Sequence, residues 1–169
     1  MNWYKVVNII CHKLAKKYSL QVNQIAGIIV TLSAQKNWKL NIRQTIEFLK
    51  GKQLTGMYSG TQYNNCIRIK NGEDPLNIWG KTSFKYRNFY LSILGCEKAC
   101  CIDTHMINWY LNKYQSSKLH RVKKETIFAN KTNYSLIQKA VIKEAKQNNL
   151  IPSHMQAIIW VKQRNGIMF

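Results

Sequence analysis

Apolar residues recur at three- and four-residue intervals along nearly the whole chain, interrupted only by Pro75 and Pro152, so the pattern predicts an all-α protein. From Trp3 to Tyr18, the residues Tyr4, Val7, Ile10, Cys11 and Leu14 share one face, with Lys13, Lys16 and Lys17 opposite, as in a helix with one solvated side. The stretch from Val22 to Ala34 is apolar almost all round and predicts a helix buried in the middle of the fold. After the polar residues Gln35 to Trp38, a further amphipathic helix carries Leu40, Ile42, Ile46, Phe48 and Leu49 and is stopped by Gly51. Between Thr55 and Asn71, glycines break the pattern ahead of Tyr63, Cys66, Ile67 and Ile69, leaving room for one short helix.

Asp74-Pro75 is a start signal, a cap followed by proline at the first helical position, for a short helix through Trp79 that Gly80 ends. Beyond Lys81-Thr82-Ser83, the residues Phe84 to Leu94 set Tyr86, Phe89, Tyr90 and Ile93 on an apolar face, and Gly95 closes that helix. Asp103 precedes Met106, Ile107, Tyr110 and Leu111 and is placed to cap a helix beginning near Thr104. Tyr134 to Ala145 form another apolar face, and Ser153 to Gln156 read as a capping box opening a last helix through Val161.

Charge changes the picture more than length does. The 169 residues fit one domain or two small lobes, and 46% of them are apolar, enough for a core. Against that core stand 26 Lys plus Arg and only 7 Asp plus Glu, a formal +19. Such self-repulsion calls for a polyanionic partner, and double-stranded DNA is the expected one. An anionic membrane surface ranks second to DNA and is not the expected partner, and no segment is expected to span a bilayer, because the longest apolar run, Ile25 to Leu32, falls far short of the roughly 20 residues required. The N-terminal residues show no secretory signal, so the expected location is intracellular, with DNA, and the expected state is a monomer. Five cysteines, an odd number without an export signal, argue for free thiols. The spacing of Cys96, Cys100, Cys101 and His105 is not a usual zinc pattern, and no metal or cofactor is expected.

Among the few acids, Glu47, Glu97, Glu125 and Glu144 read as solvated and Asp74 as a cap. Asp103 stands apart, because its carboxylate leaves the apolar segment Cys100-Cys101-Ile102 just where a helix begins; a cap and a catalytic acid are both open to it.

Three stretches around these residues together resemble the helix-hairpin-helix DNA glycosylases, the endonuclease III branch most closely. Cys101-Ile102-Asp103-Thr104-His105-Met106 is similar to the family's "V-D-T-H-V" segment, which holds its catalytic aspartate. Trp79 to Lys85, leading into the helix that Gly95 closes, is similar to the "L-P-G-V-G-x-K-T-A" hairpin, and Lys85 lies 18 residues before Asp103, the family's spacing of lysine nucleophile and aspartate. Leu32-Ser33-Ala34-Gln35 resembles the "L-S-A-Q" helix end, whose Gln enters the DNA beside the flipped base. Only Gly80 of the hairpin glycines is present, and no cysteine follows Cys101, so the four-cysteine iron–sulfur loop of many relatives is absent. The chain also resembles small uncharacterised proteins of phages and mobile elements that share an "F-Y-x-x-I-x-G … D-x-H" layout.

The resemblance implies a single glycosylase-like domain over residues 1–169, two small helical lobes around a DNA cleft, with the hairpin at about residues 75–95. It implies an enzyme that flips a damaged or modified base out of duplex DNA, with Asp103 and Lys85 as catalytic residues facing each other. Gln35, with Asn37 beside it, would fill the gap left in the duplex, and Lys81, Arg87, His105, Lys118, Arg121, Lys123 and Lys124 would complete the DNA contacts. The run from Lys118 to Lys124 reads as an exposed loop between lobes. Lys85 reads equally as a phosphate-binding lysine, with Lys81 the second candidate nucleophile, and Gln35 as an ordinary helix end. Tyr58, Tyr63 and Trp79 could stack on a flipped base or pack in the core. The alternative to an enzyme is a DNA-binding module that kept the fold and lost the chemistry.

Overall fold

A computed structural model of the chain describes residues 3–114, 126–127 and 130–164. Every regular element among the described residues is helical: α1 (Trp3–Tyr18), α2 (Val22–Leu32), α3 (Trp38–Leu49), α4 (Gly60–Lys70), α5 (Pro75–Ile78), α6 (Phe84–Ile93), α7 (Thr104–Tyr114), α8 (Lys131–Gln147) and α9 (Pro152–Gln163). Among these residues no helix is long and apolar enough to cross a membrane. The chain divides into two compact units, one running from Val7 to Gly80 and the other holding the residues up to Val6 together with those from Lys81 onward. The division falls between Gly80 and Lys81, so the two helices of the expected hairpin, α5 and α6, belong to different units.

In the Val7–Gly80 unit, α2 is the central element, as its all-round apolar sequence requires. Every residue from Gln24 to Leu32 is buried, and α3 and α4 pack on it. The buried polar side chain at its start, Gln24, is fully used. Its Oε1 accepts from the Gln21 N–H at 2.8 Å, and its Nε2 donates to the carbonyls of Ile69 and Lys70 at the end of α4, at 3.0 and 2.9 Å. Gly27 is required by contact: a Cβ there would lie 2.5 Å from Cγ of Pro75, so α5 rests directly on the α2 backbone. Ser59 and Gln62 form a capping box that starts α4, and Gln62 Nε2 also donates to the Thr31 carbonyl at 2.9 Å.

The other unit is built around Ile102, Met106 and Ile107 from the α7 region, Tyr134, Ile137 and Val141 from α8, and Met155 and Ile159 from α9. The Tyr4 hydroxyl, from the first turn of α1, donates to Oε1 of Gln156 at 2.7 Å in this core.

Local signals placed most boundaries. Asp74 caps α5, accepting from the Leu76 N–H at 2.9 Å, and Gly95, at φ +85°, closes α6 with both bonds of a Schellman turn, Cys96 N–H to Leu91 O and Gly95 N–H to Ser92 O. Four expectations need correction. α2 ends at Leu32, where Ser33 turns its hydroxyl back to the Val30 carbonyl. α3 begins at Trp38 because Asn37 caps it. Ser153 opens no capping box: it is buried inside α9, which starts at Pro152, whose preset φ and missing N–H suit the first helical position. Glu47 and Glu144 are not merely solvated, since Glu47 accepts from the Thr55 N–H at 2.8 Å and Glu144 pairs with Lys113 at 2.6 Å.

Candidate functional site

Asp103 is the cap that its sequence context predicts. Its Oδ1 accepts from the Met106 N–H at 3.0 Å, and its carbonyl accepts from the Ile107 N–H at 3.0 Å, which closes the first turn of α7. The half-buried carboxylate therefore sits at the positive end of that helix dipole. The three residues before it are held from outside their own neighbourhood. The Ile102 N–H donates to the Tyr134 hydroxyl at 2.9 Å, and that hydroxyl reaches the Cys100 carbonyl at 3.4 Å. Gln138 Nε2, one turn further along α8, bridges Asn88 Oδ1 at 2.9 Å and the Cys100 carbonyl at 3.4 Å. Asn88 itself donates to the Phe84 carbonyl at 2.9 Å. This network ties the start of α6 to the strand of backbone that delivers Asp103.

Lys85 stands at the second position of α6. Its carbonyl accepts a hydrogen bond from the Cys101 thiol at 3.7 Å. Burial pushes that thiol up to about 12; the Lys85 ammonium works against the shift and the Asp103 carboxylate adds to it. The Lys85 backbone thus meets the residue two before Asp103, which brings the start of α6 and the start of α7 into one neighbourhood of the same unit. The thiol stays protonated there and is no nucleophile. Burial likewise holds the phenols of Tyr4 and Tyr134 well above the usual range, with smaller contributions from Cys101, Cys100 and Asp103. Sequence reasoning missed Tyr4, Tyr134 and Gln138 as supports of this site, because their partners lie tens of residues away and leave no local pattern.

Lys81 is exposed and Arg87 half-buried in the same unit as Asp103. Lys85 and Arg87 fall in the first turn of α6, whose N-cap, Ser83, makes no side-chain capping bond. Cations there oppose the helix dipole, an arrangement that an anion would relieve. His105, in the first turn of α7, meets the Trp160 ring edge-on at 6.0 Å. Gln35 and Asn37 belong to the other unit. Gln35 is exposed in a turn with φ of +56°. Ser19 and Asn149 have similar backbone angles but close helices with Schellman bonds, whereas Gln35 holds its left-handed conformation between α2 and α3. Asn37 uses Oδ1 to cap α3, accepting from the Leu40 N–H at 2.8 Å. Lys118, Arg121, Lys123 and Lys124 lie outside the described residues.

Of the aromatics considered for stacking, Trp79 is a core residue, 5% exposed, with its indole N–H on the Thr31 hydroxyl at 3.3 Å. Tyr63 packs edge-on against Phe48 at 5.5 Å, and Tyr58 leans on Tyr63 from the surface. All five cysteines are free, with Cys96 exposed and the others buried. Among the described residues no three His, Cys, Asp or Glu side chains converge to hold a metal ion.

No curated protein and no solved structure matches the chain. A family model matches residues 1–167, nearly the whole length, and the chain belongs to that family, described as a family of unknown function (DUF7178).

Proposed function

We propose that the protein binds duplex DNA and excises a damaged or modified base in the manner of a helix-hairpin-helix glycosylase. The observation that carries this reading is the packing of the start of α6 against the segment that delivers Asp103, where the Lys85 carbonyl accepts from the Cys101 thiol at 3.7 Å, with the acid held by its own helix and the Ile102 N–H before it held by Tyr134. Breaking the base–sugar bond leaves positive charge on the sugar ring. A carboxylate held in place beside that charge stabilises the transition state without having to reorganise. The Lys85 nitrogen forms a bond to the sugar carbon as the base departs, and the proton it gives up leaves with the base; the ring opens to an imine, and loss of the neighbouring proton expels the 3′ phosphate. Lys81 and Arg87 bind phosphates at the start of α6. Gln35, in the Val7–Gly80 unit, contacts the duplex, and its left-handed backbone is a strained conformation of the kind found where side chains are presented for function.

The binding module without chemistry is favoured by one observation: Gly80, the sole glycine of the hairpin segment, is not among the glycines with positive φ, so the loop does not use the backbone freedom that lets such hairpins wrap a phosphate. Borohydride trapping separates the two readings. Duplexes bearing uracil, an oxidised pyrimidine, an oxidised purine or an abasic site are incubated with the protein and reduced. A covalent adduct that Lys85→Ala abolishes is the expected result. Base release that persists in Lys85→Ala and is lost in Asp103→Asn would assign the attack to water. Salt-sensitive duplex binding with neither product would leave the module.

A further inference from the structure

We propose that the surface where α7 meets α9 is a stacking platform for unpaired bases of a single-stranded nucleic-acid segment. His105, Trp109 and Lys113 are spaced four apart and form one stripe on α7. On α9, packed against α7, Trp160 and Arg164 have the same spacing. The ring of His105 joins the two helices by its edge-on contact with Trp160, 6.0 Å between centroids. The Arg164 guanidinium lies over the Trp160 ring at 4.6 Å. Lys113, held by Glu144, lies 5.7 Å from the Trp109 ring and 5.8 Å from that of Tyr114, and those two rings meet edge-on at 6.0 Å.

The two tryptophans pack one side on the core of their unit and remain partly open on the other. Ile107 and Tyr110 on the same helix are closed by the core, 0% and 8% exposed, whereas Trp109 stays partly exposed. Half-covered indoles in a row, each with a cation on or beside its ring, match what an unpaired base needs: a flat apolar face, a guanidinium plane and donors for the phosphate. A duplex hides its base faces and would leave these rings idle, so the occupant is single-stranded. The platform begins two residues from Asp103 but makes no use of its carboxylate, and the proposal stands whether or not Asp103 is catalytic.

The test uses the full-length protein and two labelled oligomers of equal length and charge, a thymidine dodecamer and a dodecamer of abasic tetrahydrofuran units. The platform requires the thymidine oligomer to bind about tenfold tighter or more and to quench tryptophan fluorescence, which the abasic oligomer does not. In Trp109→Leu and Trp160→Leu, the preference should shrink about tenfold per ring while abasic affinity is kept. Because the chain has five tryptophans, the quenching must be lost in Trp109→Phe and Trp160→Phe, which keep an aromatic ring in place and decide the question even if a leucine variant fails to fold. Equal affinity for the two oligomers, or a preference unchanged in folded variants, overturns the proposal. So does binding to phosphatidylserine vesicles that the thymidine oligomer cannot displace and the same variants abolish, which would assign the face to a membrane surface.

Discussion

Asp103 is at once a helix cap and the proposed catalytic acid, and two substitutions pull those roles apart. Asn keeps an Oδ1 to accept from the Met106 N–H, now made at 3.0 Å, so Asp103→Asn preserves the cap. It removes only the favourable charge at the start of α7, about 0.3–1 kcal/mol. Asp103→Ala removes the acceptor as well, which costs about 1 kcal/mol more and leaves a donor of the first turn unpaired. For a chain of this size, about 1 kcal/mol moves the melting temperature by roughly 2–4 °C. Thermal unfolding should therefore rank wild type slightly above Asp103→Asn, with Asp103→Ala clearly lower. Activity should follow a different order. A preorganised electrostatic group facing a developing charge is worth about 3–4 kcal/mol, so single-turnover base release should fall by about two to three orders of magnitude in both variants alike. The reasoning is refuted if Asp103→Asn cuts DNA at the wild-type rate, or if the rates of the two variants track their stabilities.

Gln35→Gly should raise the melting temperature, since a non-glycine residue in the left-handed region costs about 1 kcal/mol that glycine avoids, yet it should slow base release, and a variant both stabler and fully active would remove Gln35 from the site. Gly27→Ala should destabilise by about 1–3 kcal/mol in denaturant titration despite alanine's better helix propensity, because the new methyl would meet Pro75 at 2.5 Å and Ile69 at 3.2 Å; pairing it with Pro75→Ala should recover part of the loss. The thiols of Cys11 and Cys66 are pushed up to about 12 from the usual 9.0 by burial, so they hold their protons when folded under conditions that would ionise them unfolded. Their contribution to stability is intact below about pH 9 and falls as pH rises toward 12, by about 1.4 kcal/mol per pH unit for each thiol. Alkylation of the native protein near neutral pH should mark Cys96 first, and Cys66→Ala should lose less stability than wild type between pH 8 and about pH 10.

The helices were legible because their signals are local. A four-residue repeat of apolar side chains, a cap such as Asp74 or Asp103, and a stop such as Gly95 act over one or two turns and need no distant partner. For the same reason the capping role of Asp103 was visible before any coordinates, and so was the buried nature of α2. The stripe of His105, Trp109 and Lys113 was equally open to reading from its spacing, although helical aromatics more often mark a core, as Trp79 does.

From the residues alone, therefore, the helical class, the positions of most helix ends and a formal charge of +19 were legible. Tertiary structure alone decided that the Lys85 carbonyl meets the Cys101 thiol, that Tyr134 and Gln138 anchor the backbone delivering the acid, that Pro75 rests on Gly27, and that Lys81 begins a different unit from Gly80. The difference lies in range. Hydrogen bonds and dipoles within a helical turn are set by neighbours along the chain, whereas a buried contact between residues tens of positions apart depends on how the apolar faces pack together, and no local spacing encodes that packing.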